Sequence, residues 1–181
     1  SHLGHVLSGE RALSDIVMEA PGGFRLIPGA SGVGAIADLD EARLERLLLA
    51  MGEVERSSDA LVIDCGAGIG RGVMSFLSAA DLAVIVATPE PTSIAGAYAT
   101  LKCLLGRVGA GGAERVAVFV NQARSADEAE QVRARLAMVS QRFLGVEVSS
   151  LGWAPLDAAA GDAIRARRRM AHFAPWCAAD P

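Results

Sequence analysis

Lysine is almost missing from this sequence: of 17 basic residues only Lys102 is a lysine, and it lies inside the helical-looking run 101–105, Leu-Lys-Cys-Leu-Leu. A phosphate-cradling P-loop needs glycine-rich backbone amides followed by a lysine that reaches the phosphates. No Gly-Lys-Ser or Gly-Lys-Thr occurs in the 181 residues, so that motif is excluded from them. The loop 29–34, Gly-Ala-Ser-Gly-Val-Gly, imitates one but has no lysine after it, and reads as a strand-to-helix connection. Cysteine is scarce too. Cys65, Cys103 and Cys177 are odd in number and too widely spaced for a metal knuckle. They suit a reducing cytoplasm, the first two as small buried hydrophobes. No apolar run reaches membrane-spanning length and no signal peptide is visible. His2, His5 and His172 have no triad-like context, and Ser31 and Ser75 lack a nucleophile-elbow pattern. The initiator methionine is also missing; the opening Ser1-His2 reads as the remnant of a removed tag on a trimmed chain.

What is present is a well-filled globular chain: 51% apolar and 21% charged residues, net charge −4. That argues mildly against indiscriminate nucleic-acid binding, though not against a local basic patch. One domain spanning 1–181 is the natural expectation, since no interior linker or repeat breaks the chain.

The stretch 61–92 organises it. Residues 61–63 (Leu-Val-Ile) are too short for a helix and lie between polar and glycine residues, the mark of a strand buried on both faces. The run ends on Asp64, with glycines at 66, 68 and 70. An acidic residue at the C-terminal end of such a strand sits where open α/β sheets bind ligands, and glycine lets the backbone turn sharply beside it.

Around this centre the periodicity alternates. Two short helices are expected within 3–20, and a strand at 24–28 with no neighbour for its residues 24–27. A helix at 39–54 carries Leu44, Leu47, Leu48 and Met51 on one face, and another helix spans 73–80. A buried strand follows at 82–87, then a helix at 94–105 capped by Thr92 or Ser93, with Pro89 and Pro91 stiffening its approach. A strand at 116–120 ends at Asn121. A helix reaches 143 from Ser125 or Asp127, a strand covers 146–151, and a last helix starts near Ala158 and runs through Arg169. Such alternation signals an α/β fold: three layers, a mostly parallel sheet and helices on both faces.

The ordered set Asp64-Cys65-Gly66-Ala67-Gly68, Ala80-Asp81, Thr88-Pro89-Glu90-Pro91-Thr92, Asn121 and Pro155-Leu156-Asp157 resembles the MinD/ParA family of P-loop ATPases. Within it the likeness is to the FlhG branch, regulators of flagellar number and placement. The resemblance covers most of the chain, and implies the family fold without its first strands, P-loop and first switch. It also implies an ATP- and Mg2+-dependent dimer switch in the whole protein, with no nucleotide held tightly by this chain alone. Asp64 would be the Walker B residue, holding Mg2+ through water. Gly66 and Gly68 would belong to switch II, and Asn121, Pro155 and Asp157 to the adenine site. It further implies a cytoplasmic protein, peripheral at the membrane if at all, though no membrane-targeting tail is evident.

Each of these residues has a plainer reading. A strand-ending Asn is a common turn former, Pro155 with Asp157 makes a proline turn and helix cap, and Trp153 either stacks on a base or packs. Arg165, Arg167, Arg168 and Arg169 form a basic run, read either as a helix C-terminus favouring cations or as a contact surface. That surface would meet nucleotide across a dimer, an acidic partner of the flagellar or division machinery, or less favourably DNA. A P-loop-less docking module is the rival to the ATPase reading. Open strand edges imply a homodimer, or a swapped or edge-paired oligomer.

Overall fold

The structure, a computed structural model, describes residues 2–20, 22–29 and 40–165. The chain forms two compact units, Ser1–Ala79 and Ala80–Pro181.

In the first unit, helix α1 (Leu3–Leu7) starts with the His2 ring accepting from the Gly4 N–H at 3.0 Å. A 3-10 turn at Leu13–Ile16 follows. Strands β1 (Met18–Ala20) and β2 (Phe24–Leu26) pair antiparallel, joined through Gly22 and Gly23 at φ 114° and 81°. The expectation of helix up to residue 20 and of an unpaired strand at 24–27 is thereby corrected. Residues 22–23 supply the positive φ that a tight reversal needs, so Phe24 returns beside Met18–Ala20. The Arg25 guanidinium donates to the Ser57 carbonyl at 2.6 Å and to both the Ser57 and Ser58 hydroxyls, tying the hairpin to the chain after helix α2 (Glu41–Glu55). That helix is capped by Asp40, whose carboxylate accepts the Arg43 N–H at 2.8 Å. Its apolar stripe, Leu44, Leu47 and Met51, packs with Leu3, Leu13, Ile16 and with Phe76 of helix α3 (Arg71–Ala79) into one core.

Residues 61–63 take no regular secondary structure and join no sheet among the described residues, against the expectation of a doubly buried strand. Leu61 and Ile63 are half-buried against that core, while Val62, pointing the other way, is 90% exposed. Alternation delivers one face to the core, but burying the second needs a cover and a ladder partner, and the described residues supply neither.

In the second unit, strands β3 (Ala83–Ala87), β4 (Val116–Ala123) and β5 (Ser149–Pro155) form a parallel sheet in that order. Helices α4 (Pro91–Val108) and α5 (Ala126–Leu144) pack on each other and on the strands, and Leu101, Leu104, Val132 and Leu136 of the helices are buried, as are Ile85 and Val118 of the sheet. A last described helix, α6, covers Ala158–Arg165. Strand–helix alternation with parallel pairing is the expected α/β class.

Several boundaries differ from expectation. Helix α4 begins at Pro91, with Glu90 as N-cap, because proline's fixed φ suits the first helical position. Ser93 does not cap it; its hydroxyl accepts the Thr88 N–H at 2.9 Å and pins the end of β3. Strand β5 starts at Ser149 and takes in Gly152 (φ 108°), where its register with β4 shifts, so Pro155 lies in the strand rather than after it.

Candidate functional site

In the first unit, Asp64 directly follows residues 61–63 and is exposed. Its Oδ1 accepts the Gly66 N–H at 3.1 Å, folding the chain back over one residue. Gly66 and Gly68 lie at φ 67° and 113°, a region costly to side-chain-bearing residues, so the turn after Asp64 depends on them. The thiol of Cys65, half-buried between Asp64 and Gly66, is held above its ordinary value, first by burial and then by the Asp64 charge beside it. Cys103 is likewise half-buried, so neither cysteine is buried as fully as expected, and Cys177 lies outside the described residues. Among the described residues no group of three or more His, Cys, Asp or Glu is placed to hold a metal by itself. A lone carboxylate suits Mg2+ in one setting, where water and phosphate oxygens complete the octahedron. Asp64, exposed and with one oxygen engaged by Gly66, fits that role.

In the second unit, the parallel strands bring their C-terminal ends to one edge, where sheets of this kind bind ligands. Asn121 lies in β4 rather than after it, half-buried, its Oδ1 accepting the Gln122 N–H at 2.9 Å. Gln122 has φ 60°, the one non-glycine residue at positive φ among those described. The neighbouring strand ends beside it: Pro155 pairs with Ala123, and the Leu156 N–H donates to the Ala123 carbonyl at 2.8 Å. Asp157 then accepts the Ala159 N–H at 2.8 Å and starts α6. Asn121, Pro155 and Asp157, far apart in sequence, thus gather around one strand-end corner. Trp153 lies in β5 opposite Val120 and is partly exposed. Sequence reasoning missed Gln122; no residue type at that position announces a left-handed backbone.

Of the basic run, Arg165 closes α6 and pairs with Asp162 at 2.6 Å. Arg167, Arg168 and Arg169 lie outside the described residues.

A parallel sheet with helices between its strands, and with Asn121, Pro155 and Asp157 gathered at its carboxyl end, defines an open α/β domain. The solved structures like it include the cell-division ATPase MinD of Pyrococcus furiosus, with TM-score 0.69 at 18% identity over 97% of this chain and 68% of that one. Another is MinD of Aquifex aeolicus, with TM-score 0.68, 21% identity and the same coverages. These likenesses show the fold. Among curated proteins, the antiactivator FleN of Pseudomonas aeruginosa is 36% identical over 168 residues, 93% of this chain and 59% of FleN. The flagellum site-determining protein YlxH of Helicobacter pylori is 41% identical over 98 residues, 54% of this chain and 33% of YlxH. No protein-family model matches. The chain is thus similar in sequence to FleN and YlxH and shares the fold of the MinD ATPases, in line with the MinD/ParA, FlhG-like resemblance of its motifs. It spans less than two thirds of the length of either curated relative.

Proposed function

We propose that this sequence is part of an ATP-driven spatial regulator of flagellar number or placement, and that it supplies the Walker B and adenine-side walls of the nucleotide site. The observation that carries the reading is the turn at Asp64–Gly66–Gly68, in a chain 36% identical to FleN across 168 residues. Asp64 would hold Mg2+ through water, and the metal would neutralise charge developing on the phosphates. The Gly66 N–H fixes one Asp64 oxygen, so the carboxylate is oriented before any ligand arrives. Asn121 offers both a donor and an acceptor to an adenine edge, and the Pro155–Asp157 corner closes beside it. Alternation between ATP-bound dimer and released monomer completes the proposed switch. Its setting is the cytoplasm, with membrane contact peripheral; among the described residues no helix is long and apolar enough to cross a membrane.

The 181 residues contain no Gly-Lys-Ser or Gly-Lys-Thr, and this favours a second role for the chain taken alone, as a docking module without hydrolysis. Two measurements test the proposal. Titrating Mg-ATP into this chain should give at best roughly millimolar affinity, as for a small fragment held by few contacts, and micromolar binding would contradict it. In a longer protein that carries this sequence together with a P-loop, Asp64→Ala should abolish ATP hydrolysis while circular dichroism stays unchanged. Normal turnover in that variant would remove Asp64 from the site.

A further inference from the structure

Strand β4 loses its alternation just before it ends. Val120 and Ala123 are 2% and 0% exposed, three residues apart, although successive side chains of a strand point to opposite faces. The register against β5 breaks at the same place. Val120 pairs with Trp153 and Ala123 with Pro155, three steps along β4 against two along β5. One extra residue is therefore bulged out at Asn121 and Gln122, and Gln122 absorbs it at φ 60°. The bulge is held on both sides, before it by the pairing of Val120 with Trp153 and after it by the Leu156 N–H, which donates to the Ala123 carbonyl at 2.8 Å.

Glycine takes positive φ freely and glutamine does not, so the fold keeps a disfavoured conformation here. Residues held in this way gather at functional sites, where the surrounding structure over-determines them. The Gln122 side chain is exposed and has no partner among the described residues. The peptide group between Asn121 and Gln122 is what the bulge sets in place: its N–H donates to the Asn121 Oδ1 at 2.9 Å. That bond fixes which end of the carboxamide is which. The oxygen is tied to the backbone through one lone pair, and the NH2 group, unpartnered among the described residues, is the free end. Gln122 at positive φ then brings the chain from that peptide back into register at Ala123. At ordinary φ, either Ala123 leaves the core or the peptide rotates and releases Asn121.

We infer that Gln122 is a positioning residue for the proposed base site: its left-handed backbone, not its side chain, holds the bulge that leaves the Asn121 NH2 group free to donate to a ring nitrogen. The inference rests on the nucleotide reading and adds how the carboxamide is set before a base arrives. The second lone pair of Oδ1 remains to accept from an amino group beside that nitrogen. A carboxamide free to rotate and flip would lose that freedom on binding; one already tied to the backbone loses less, which favours the bound state.

Adenosine titrated into this chain, followed by NMR at the Asn121 side-chain amide, tests it, with parent binding in the roughly millimolar range. Affinity should follow tolerance for positive φ. Gln122→Gly and Gln122→Asn should bind as the parent chain does, and Gln122→Ala more weakly. Gln122→Val and Asn121→Ala should each lose at least about tenfold, as removal of one base contact does. Circular dichroism checks that each variant folds, and Gln122→Ala decides the matter if the valine variant does not. Without ligand, the Asn121 amide resonances should stay in place in Gln122→Gly and move in Gln122→Val. Loss of binding in Gln122→Gly would assign the role to the side chain and overturn the inference. Valine and alanine variants that bind like the parent, while Asn121→Ala does not, would overturn it too and leave the nucleotide reading standing. Adenosine that fails to bind the parent chain, or binds Asn121→Ala equally, would overturn both.

Discussion

The Asp64 carboxylate accepts the Gly66 N–H at 3.1 Å, and the chain leaves that turn through Gly66 at φ 67°. Two residues on, Gly68 is further from ordinary backbone at φ 113°. No neighbouring atom would obstruct a Cβ at Gly66, Gly68 or Gly70, so backbone conformation alone separates the three. Gly68→Ala should therefore destabilise the chain by about 1–3 kcal/mol, the range for a residue held in a disfavoured region. Gly70→Ala, at ordinary φ, should be nearly neutral. Urea melts of the two variants check this, and equal effects would mean that the turn does not persist in solution.

Cys65 responds to the same turn. Burial first, and the Asp64 charge second, hold its thiol above the ordinary 9.0. The unfolded thiol ionises before the folded one, so above that pH the unfolded state binds fewer protons. This contribution to stability is therefore intact below 9.0 and falls as pH rises past it. Iodoacetamide should label native Cys65 slowly at neutral pH, and Asp64→Asn should speed labelling by removing the nearby negative charge. Labelling by mass spectrometry reads both outcomes.

Ser140 and Leu101 contrast two kinds of burial. The Ser140 side chain is fully buried in α5, and its hydroxyl has no hydrogen-bond partner among the described residues. Ser140→Ala removes an unsatisfied group at almost no cost in volume, and should raise stability by about 1 kcal/mol. Leu101, 1% exposed between α4 and the sheet, should cost about 2–5 kcal/mol when cut to alanine, through lost burial and a cavity. Thermal melts order the two with opposite signs.

Which features could be read from sequence follows from how local their causes are. Leu44, Leu47 and Met51 announce α2 by spacing, and Ser125 announces the start of α5; both are present. Asp64 with its glycines is legible because a sharp turn needs those residue types. The pairing of Met18–Ala20 with Phe24–Leu26 was hidden, since three-residue strands carry too little pattern to outweigh a helical reading. Residues 61–63 show the converse: their pattern states that both faces can be buried, but not what lies beside them. The corner formed by Asn121 and Pro155 rests on the register of β4 against β5, a non-local fact. Only likeness to a family let the sequence place those two residues in one site.

The outer edge of β3 leads to the last expectation. Its residues Ala-Val-Ile-Val-Ala contain no charge, proline or glycine, and among the described residues β3 pairs only with β4. Edges of sheets are ordinarily guarded by such residues, because unpaired N–H and C=O groups recruit other chains. Val84 and Val86 are also exposed on the face away from Ile85, so a charge placed there disturbs no core. Light scattering of this chain should show association that grows with concentration. Val84→Lys should suppress it without lowering the melting temperature, whereas Lys102→Glu, on α4, should leave it unchanged. A monomer at every concentration would show that the β3 edge is covered in solution, and would remove the edge-paired oligomer from consideration.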